Sequence, residues 1–233
     1  KYASLQDVGI YSATLLISNI AIVILTAANQ VFSPMVSEIF HLNQLDLLST
    51  LYKTMVRWIM IGSLPIFSVL VLYPSQILDV FGSRYIEGAP ALMILTFGYV
   101  VRNIAGVSNT ILVMAGRTHT ELLNSMATVV FSLTACWLLI PSNGILGAAL
   151  SFSLTLTLLS FLLVMQVKHL LNLSPFDKSL WKPVFAATLT IIIFKCLAFF
   201  NISPAGWLGI FWAGPLVLVT YAGLLCLVGW ETH

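Results

Sequence analysis

Charged side chains are scarce in this chain. Lysine, arginine, aspartate and glutamate make up 8% of its 233 residues, against about 25% in soluble domains. With 59% hydrophobic residues and a mean hydropathy of +1.01, that scarcity excludes an ordinary water-soluble globule and leaves an integral membrane protein. Basic tracts are missing too: the basic residues are scattered, so the net charge of +2 makes no surface for nucleic acid. Cys136, Cys196 and Cys226 each sit inside an apolar run without metal-ligand spacing, and read as small core or lipid-facing residues. The histidines, His41, His119, His169 and His233, fall in loops or at the end. No nucleophile–base pair, no paired carboxylates at membrane depth and no phosphate-cradling glycine loop can be found. Enzymatic chemistry, a metal and a cofactor are therefore not expected. Alternation with period two does not recur over several segments, which argues against a β-barrel. A charged-then-apolar leader is lacking, and the chain opens KYASLQDVG without methionine. That opening reads as the middle of a longer protein.

What is present is apolar length. Seven segments are long enough to span a bilayer, at about 20 residues each: 8–32, 58–80, 89–114, 122–140, 145–167, 183–200 and 207–230. The expected fold is all-α and integral to the membrane, with about seven transmembrane helices. The first segment carries Ser12, Asn19, Thr26, Gln30, Ser33 and Ser37 on one helical face. That face either makes interhelical hydrogen bonds or lines a wet cavity. The helix is expected to run past Pro34 toward Phe40. Between the first two spans, Leu45, Leu48, Leu51, Tyr52 and Met55 share one stripe, and Asn43, Asp46, Ser49, Thr50, Lys53 and Arg57 take the other. This pattern predicts an amphipathic helix near 42–57, lying on the membrane surface. Pro65 should kink or loosen the second span. Pro90 suits the first turn of the third. Gly116 should end that helix, and Thr120 could cap the next. IPSNGILGAAL reads as a tight turn, with Gly144, Gly147 and Ala148 favouring close packing.

The third span, from Ala89 to Met114, carries Arg102 near its middle. At 1.5 Å per residue the guanidinium starts roughly 18–20 Å from either end, too deep for comfortable snorkelling. An arginine at that depth costs about 2.5–3.5 kcal/mol on an insertion scale unless it faces protein or water. Gly98, Tyr99, Gly106 and Asn109 lie near it at helical spacing, and Asn103 one step round. No carboxylate lies within a span at comparable depth, since Glu38 and Glu121 are near helix ends. Two readings stand: an arginine satisfied by helix-end carbonyls or a buried carboxylate, or one facing a cavity that takes an anion. The candidate cavity residues are Arg102, Asn109, Asn103, Tyr99, Asn19, Gln30 and Ser125. Lys195, near the end of its segment, is expected to snorkel. Of the basic residues in loops, Lys53, Arg57, Arg117, Lys168, Lys178 and Lys182 fall on one side, and Lys1 and Arg84 on the other. That asymmetry puts the amino end outside and the carboxyl end in the cytoplasm.

Several stretches then fall into a familiar order: VGIYSA, FSPMVSE, LYKTMVRWIMIGSLPIF, ILDVFG followed by EGAPALMIL, MAGRTHTELLNS and IPSNGILGAALS. In order and spacing they resemble the oligosaccharide (O-antigen type) flippases of the superfamily that also holds multidrug extrusion transporters. The resemblance covers about residues 8–176. It implies a two-lobe transporter, of which residues 1–176 would be five helices of an incomplete second lobe and 177–233 two accessory helices. It further implies a prokaryotic plasma membrane and a lipid-linked oligosaccharide as substrate. Partners would be membrane lipid and an amino-terminal lobe of the same protein. Family cavities are commonly basic, and Arg102 is the position that carries over. A drug or cation antiporter of the same superfamily and a non-transporting membrane fragment remain as alternatives.

Overall fold

The computed structural model describes residues 5–199 and 210–227, and every regular element among them is helical. The first stretch is α1 (Leu5–Ser18), a 3-10 turn (Asn19–Ile22) and α2 (Val23–His41). Then come α3 (Leu45–Leu72), the short α4 (Pro74–Asp79), a 3-10 segment (Ser83–Gly88) and α5 (Ala89–Met114). The chain continues with α6 (Thr118–Leu171), α7 (Trp181–Phe199) and α8 (Ile210–Leu227). Among the described residues, Gln6–His41, Leu45–Leu72, Ser83–Met114 and Thr118–Leu171 are long and apolar enough to cross a membrane. The protein is an all-α membrane protein, because in lipid a helix satisfies its own backbone polar groups.

At 54 residues α6 is two helices. Gly144 takes φ 51° and ψ −123°, a left-handed conformation that glycine adopts without a Cβ penalty. The chain reverses there, and the limbs 118–143 and 145–171 run side by side. Gly147 makes the reversal possible, since a Cβ on it would lie 2.0 Å from the carbonyl oxygen of Leu139. The two limbs are also tied by a reciprocal amide pair. Asn124 Nδ2 donates to Gln166 Oε1 at 2.8 Å, and Gln166 Nε2 donates to Asn124 Oδ1 at 2.6 Å. Interhelical hydrogen bonds in membranes average about 0.6 kcal/mol with a maximum near 1.7. Asn124→Ala and Gln166→Ala should therefore each lower the unfolding free energy by about 1–2 kcal/mol. The double variant should cost no more than the larger single one. Additive losses in an unfolding double-mutant cycle would show that the amides do not act as a pair.

The expected surface helix near 42–57 does not form as a separate element. Residues 45–57 are the first half of α3, which runs unbroken into the membrane span and through the buried Pro65, and 42–44 form the turn before it. From Leu48 onward the apolar stripe is covered by protein rather than by a lipid surface, while Leu45 stays exposed. Leu48, Tyr52 and Met55 are fully buried, and with Val107, Ile111 and Leu112 of α5 and Leu163 of α6 they belong to the main core. Tyr52 and Ser108 join hydroxyls across that core. The second span also stops earlier than expected, at Leu72, because Pro74 opens α4 and the residue before a proline is held away from helical geometry. Conversely, Pro90 stands in the first turn of α5, and Gly116 ends the α5 region with φ 72°. Thr120 is no N-cap: α6 already starts at Thr118, and the Thr120 hydroxyl donates to the Arg117 carbonyl.

α5 is the central helix, touching α1, α2, α3, α4 and α6, while α7 and α8 pack on α3 and on each other. The expected sixth span coincides with α7 and the seventh with α8 in part; position 200 of the sixth and positions 207–209 and 228–230 of the seventh lie outside the described residues.

Candidate functional site

Two contacts fix how the first stretch lies against α5. Asn103 Nδ2 donates to the carbonyl of Ala21 at 2.8 Å. Leu25 fills a notch at Gly106, where a Cβ would lie 2.2 Å from Leu25 Cδ2. Offsets of 82 and 81 residues (103 less 21, 106 less 25) mean that the helices run in parallel and in step. The break between α1 and α2 falls at the 3-10 turn, and α2 runs on past Pro34 as expected. It presents the Ala21 carbonyl that Asn103 takes up.

Arg102 lies between the close approaches at Gly98 and Gly106. Gly98, one turn before it, meets Ser153 of α6, where a Cβ would come within 2.9 Å of the Ser153 Cα. Gly106, one turn after it, meets α2. Residues at i−4, i and i+4 share a helical face, so Arg102 projects between α2 and the second limb of α6. It is partly buried, and its Nη1 is buried without a hydrogen-bond partner among the described residues. A buried donor without a partner is costly, more so on a charged group.

The other expected cavity residues divide. Tyr99 is buried and rests on Phe152, with ring centroids 5.8 Å apart and planes at 56°. Asn103 is fully buried and positions the 3-10 turn, with its Oδ1 left without a partner among the described residues. Asn109 is partly buried on α5. Asn19, Gln30 and Ser125 stand on the exposed surface of α1–α2 and α6. Along that outer face the hydroxyls are already satisfied by their own helix: Ser12 donates to the Val8 carbonyl at 2.8 Å, and Thr26 to the Ile22 carbonyl at 3.1 Å. This local bonding removes their need for a partner helix.

Sequence reasoning missed Asn29 and Ser63, whose Oδ1 and Oγ are buried and unpartnered among the described residues. Asn29 is adjacent to Gln30 in the sequence, but one residue turns the side chain by about 100° on a helix. The choice of Gln30 by its spacing from Thr26 therefore selected the exposed face and passed over the buried one. No protein-family model matches the chain, and no curated protein matches it.

Proposed function

We propose that this chain is the carboxyl-terminal part of a membrane flippase. It moves a polyprenyl-pyrophosphate-linked oligosaccharide from the cytoplasmic to the outer leaflet for polysaccharide biosynthesis. The observation that carries the reading is the guanidinium of Arg102, held midway along the central membrane helix with a buried nitrogen that no described residue satisfies. A pyrophosphate is the matching partner, because arginine gives anionic oxygens charge-assisted and often bidentate hydrogen bonds. Placing that cation deep in the membrane lowers the cost of carrying an anion past the hydrocarbon, while the lipid tail stays in the bilayer. Translocation on this scheme changes no covalent bond. The exposed amides of Asn19 and Gln30 suit a water-filled cleft facing an amino-terminal lobe of the same protein. The protein would work in a prokaryotic plasma membrane with its amino end outside.

The test is leaflet exchange itself. Proteoliposomes carrying the full-length reading frame, loaded with a fluorescent short-chain prenyl-pyrophosphoryl sugar, should expose label of the inner leaflet to an impermeant quencher faster than protein-free vesicles. Equal rates would defeat the proposal.

A further inference from the structure

Arg102 is not the sole unsatisfied group along the α2–α5 contact. Asn29 presents a buried Oδ1 without a partner among the described residues. It lies one turn beyond Leu25 on α2, and Leu25 is seated in the Gly106 notch of α5. The register that pairs Ala21 with Asn103 and Leu25 with Gly106 sets Asn29 level with Thr110. Its Cα level is then eight residues past Arg102, about 12 Å along the helix axis. The two orphans are of opposite kinds. Arg102 Nη1 can only donate, and to an anion best; Asn29 Oδ1 can only accept.

We infer that Asn29 is a specificity residue of the Arg102 site, accepting a hydrogen bond from a hydroxyl or amide N–H of the sugar that follows the pyrophosphate. The inference rests on the function proposed above. It divides recognition between two atoms. Arg102 holds the pyrophosphate whatever it carries, and Asn29 distinguishes a glycosylated headgroup from a bare one. A bare prenyl pyrophosphate brings no donor to Asn29 Oδ1 and gains nothing there, whereas a glycosylated one gains a hydrogen bond.

The experiment uses the full chain in nanodiscs with two probes, farnesyl pyrophosphate and farnesyl-pyrophosphoryl-N-acetylglucosamine. Wild type should bind the glycosylated probe more tightly. Asn29→Ala and the near-isosteric Asn29→Leu should each weaken that probe about three- to tenfold, the worth of one hydrogen bond. Both should leave the bare pyrophosphate unchanged, and neither should lower the unfolding midpoint. Arg102→Gln should weaken both probes alike. Equal effects of the Asn29 variants on the two probes, or no effect on either, would overturn the role of Asn29 while leaving the anion site standing. Failure of wild type to bind either probe would overturn both.

Discussion

Gly147→Ala should lower the unfolding free energy by about 3 kcal/mol or more, beyond the usual 1–3 kcal/mol of overpacking, and Gly147→Val should leave little folded protein in the membrane. The added Cβ would stand 2.0 Å from the Leu139 carbonyl oxygen, 2.5 Å from its carbon and 3.0 Å from the Ile140 Cα. These are backbone atoms at the reversal of α6, and no side-chain rotation can clear them. Relief requires the two limbs to part. Parting would stretch the Asn124–Gln166 pair and withdraw Ser153 from Gly98. Gly223 of α8 is the matched control: a Cβ there meets nothing within 4 Å, so Gly223→Ala should be neutral or slightly stabilising, as helix propensity favours alanine. Reversible unfolding in mixed micelles reads both. Equal stability of the two variants would mean that the limbs of α6 are not in contact as described.

Membrane class and the main spans were legible because apolar length is a one-dimensional property. The segments 89–114, 122–140 and 145–167 correspond to α5 and the two limbs of α6, and Pro90, Gly116 and Gly144 mark their boundaries by backbone chemistry alone. Partnering was less legible. The stripe of Leu48, Tyr52 and Met55 says that one face is apolar, but an apolar face suits a lipid surface and a protein core equally well. The contact with α5, 50 to 60 residues away in sequence, decided for the core. The site shows the same division. The depth of Arg102 follows from counting residues, whereas the interest of Asn29 depends on the register between α2 and α5. Asn124 and Gln166 lie 20 residues before and 22 after Gly144, so a hairpin centred on that glycine brings them level. That near-symmetry was the available signal.

Arg102→Ala should separate stability from transport. The side chain keeps a buried donor unsatisfied by any described residue at membrane depth, which costs at least about 2.5 kcal/mol on insertion scales. Its removal should therefore leave the amount of folded protein at or above wild type. Export should fall about tenfold or more, since a hydrogen bond to a charged group is worth about 1.5–3 kcal/mol. Arg102→Lys should fall between the two, because an ammonium keeps the charge but loses the planar fork that matches phosphate oxygens. A purely structural arginine, satisfied by Glu121 or by backbone carbonyls, predicts the reverse order: less folded protein on truncation, and normal transport by the molecules that remain.

Export of lipid-linked sugar per folded molecule, measured for wild type, Arg102→Lys and Arg102→Ala in the full-length reading frame, tests the central claim most directly. The anion-site account predicts a graded loss, wild type above Lys above Ala, at undiminished folded amount. Wild-type export per molecule in Arg102→Ala would contradict it.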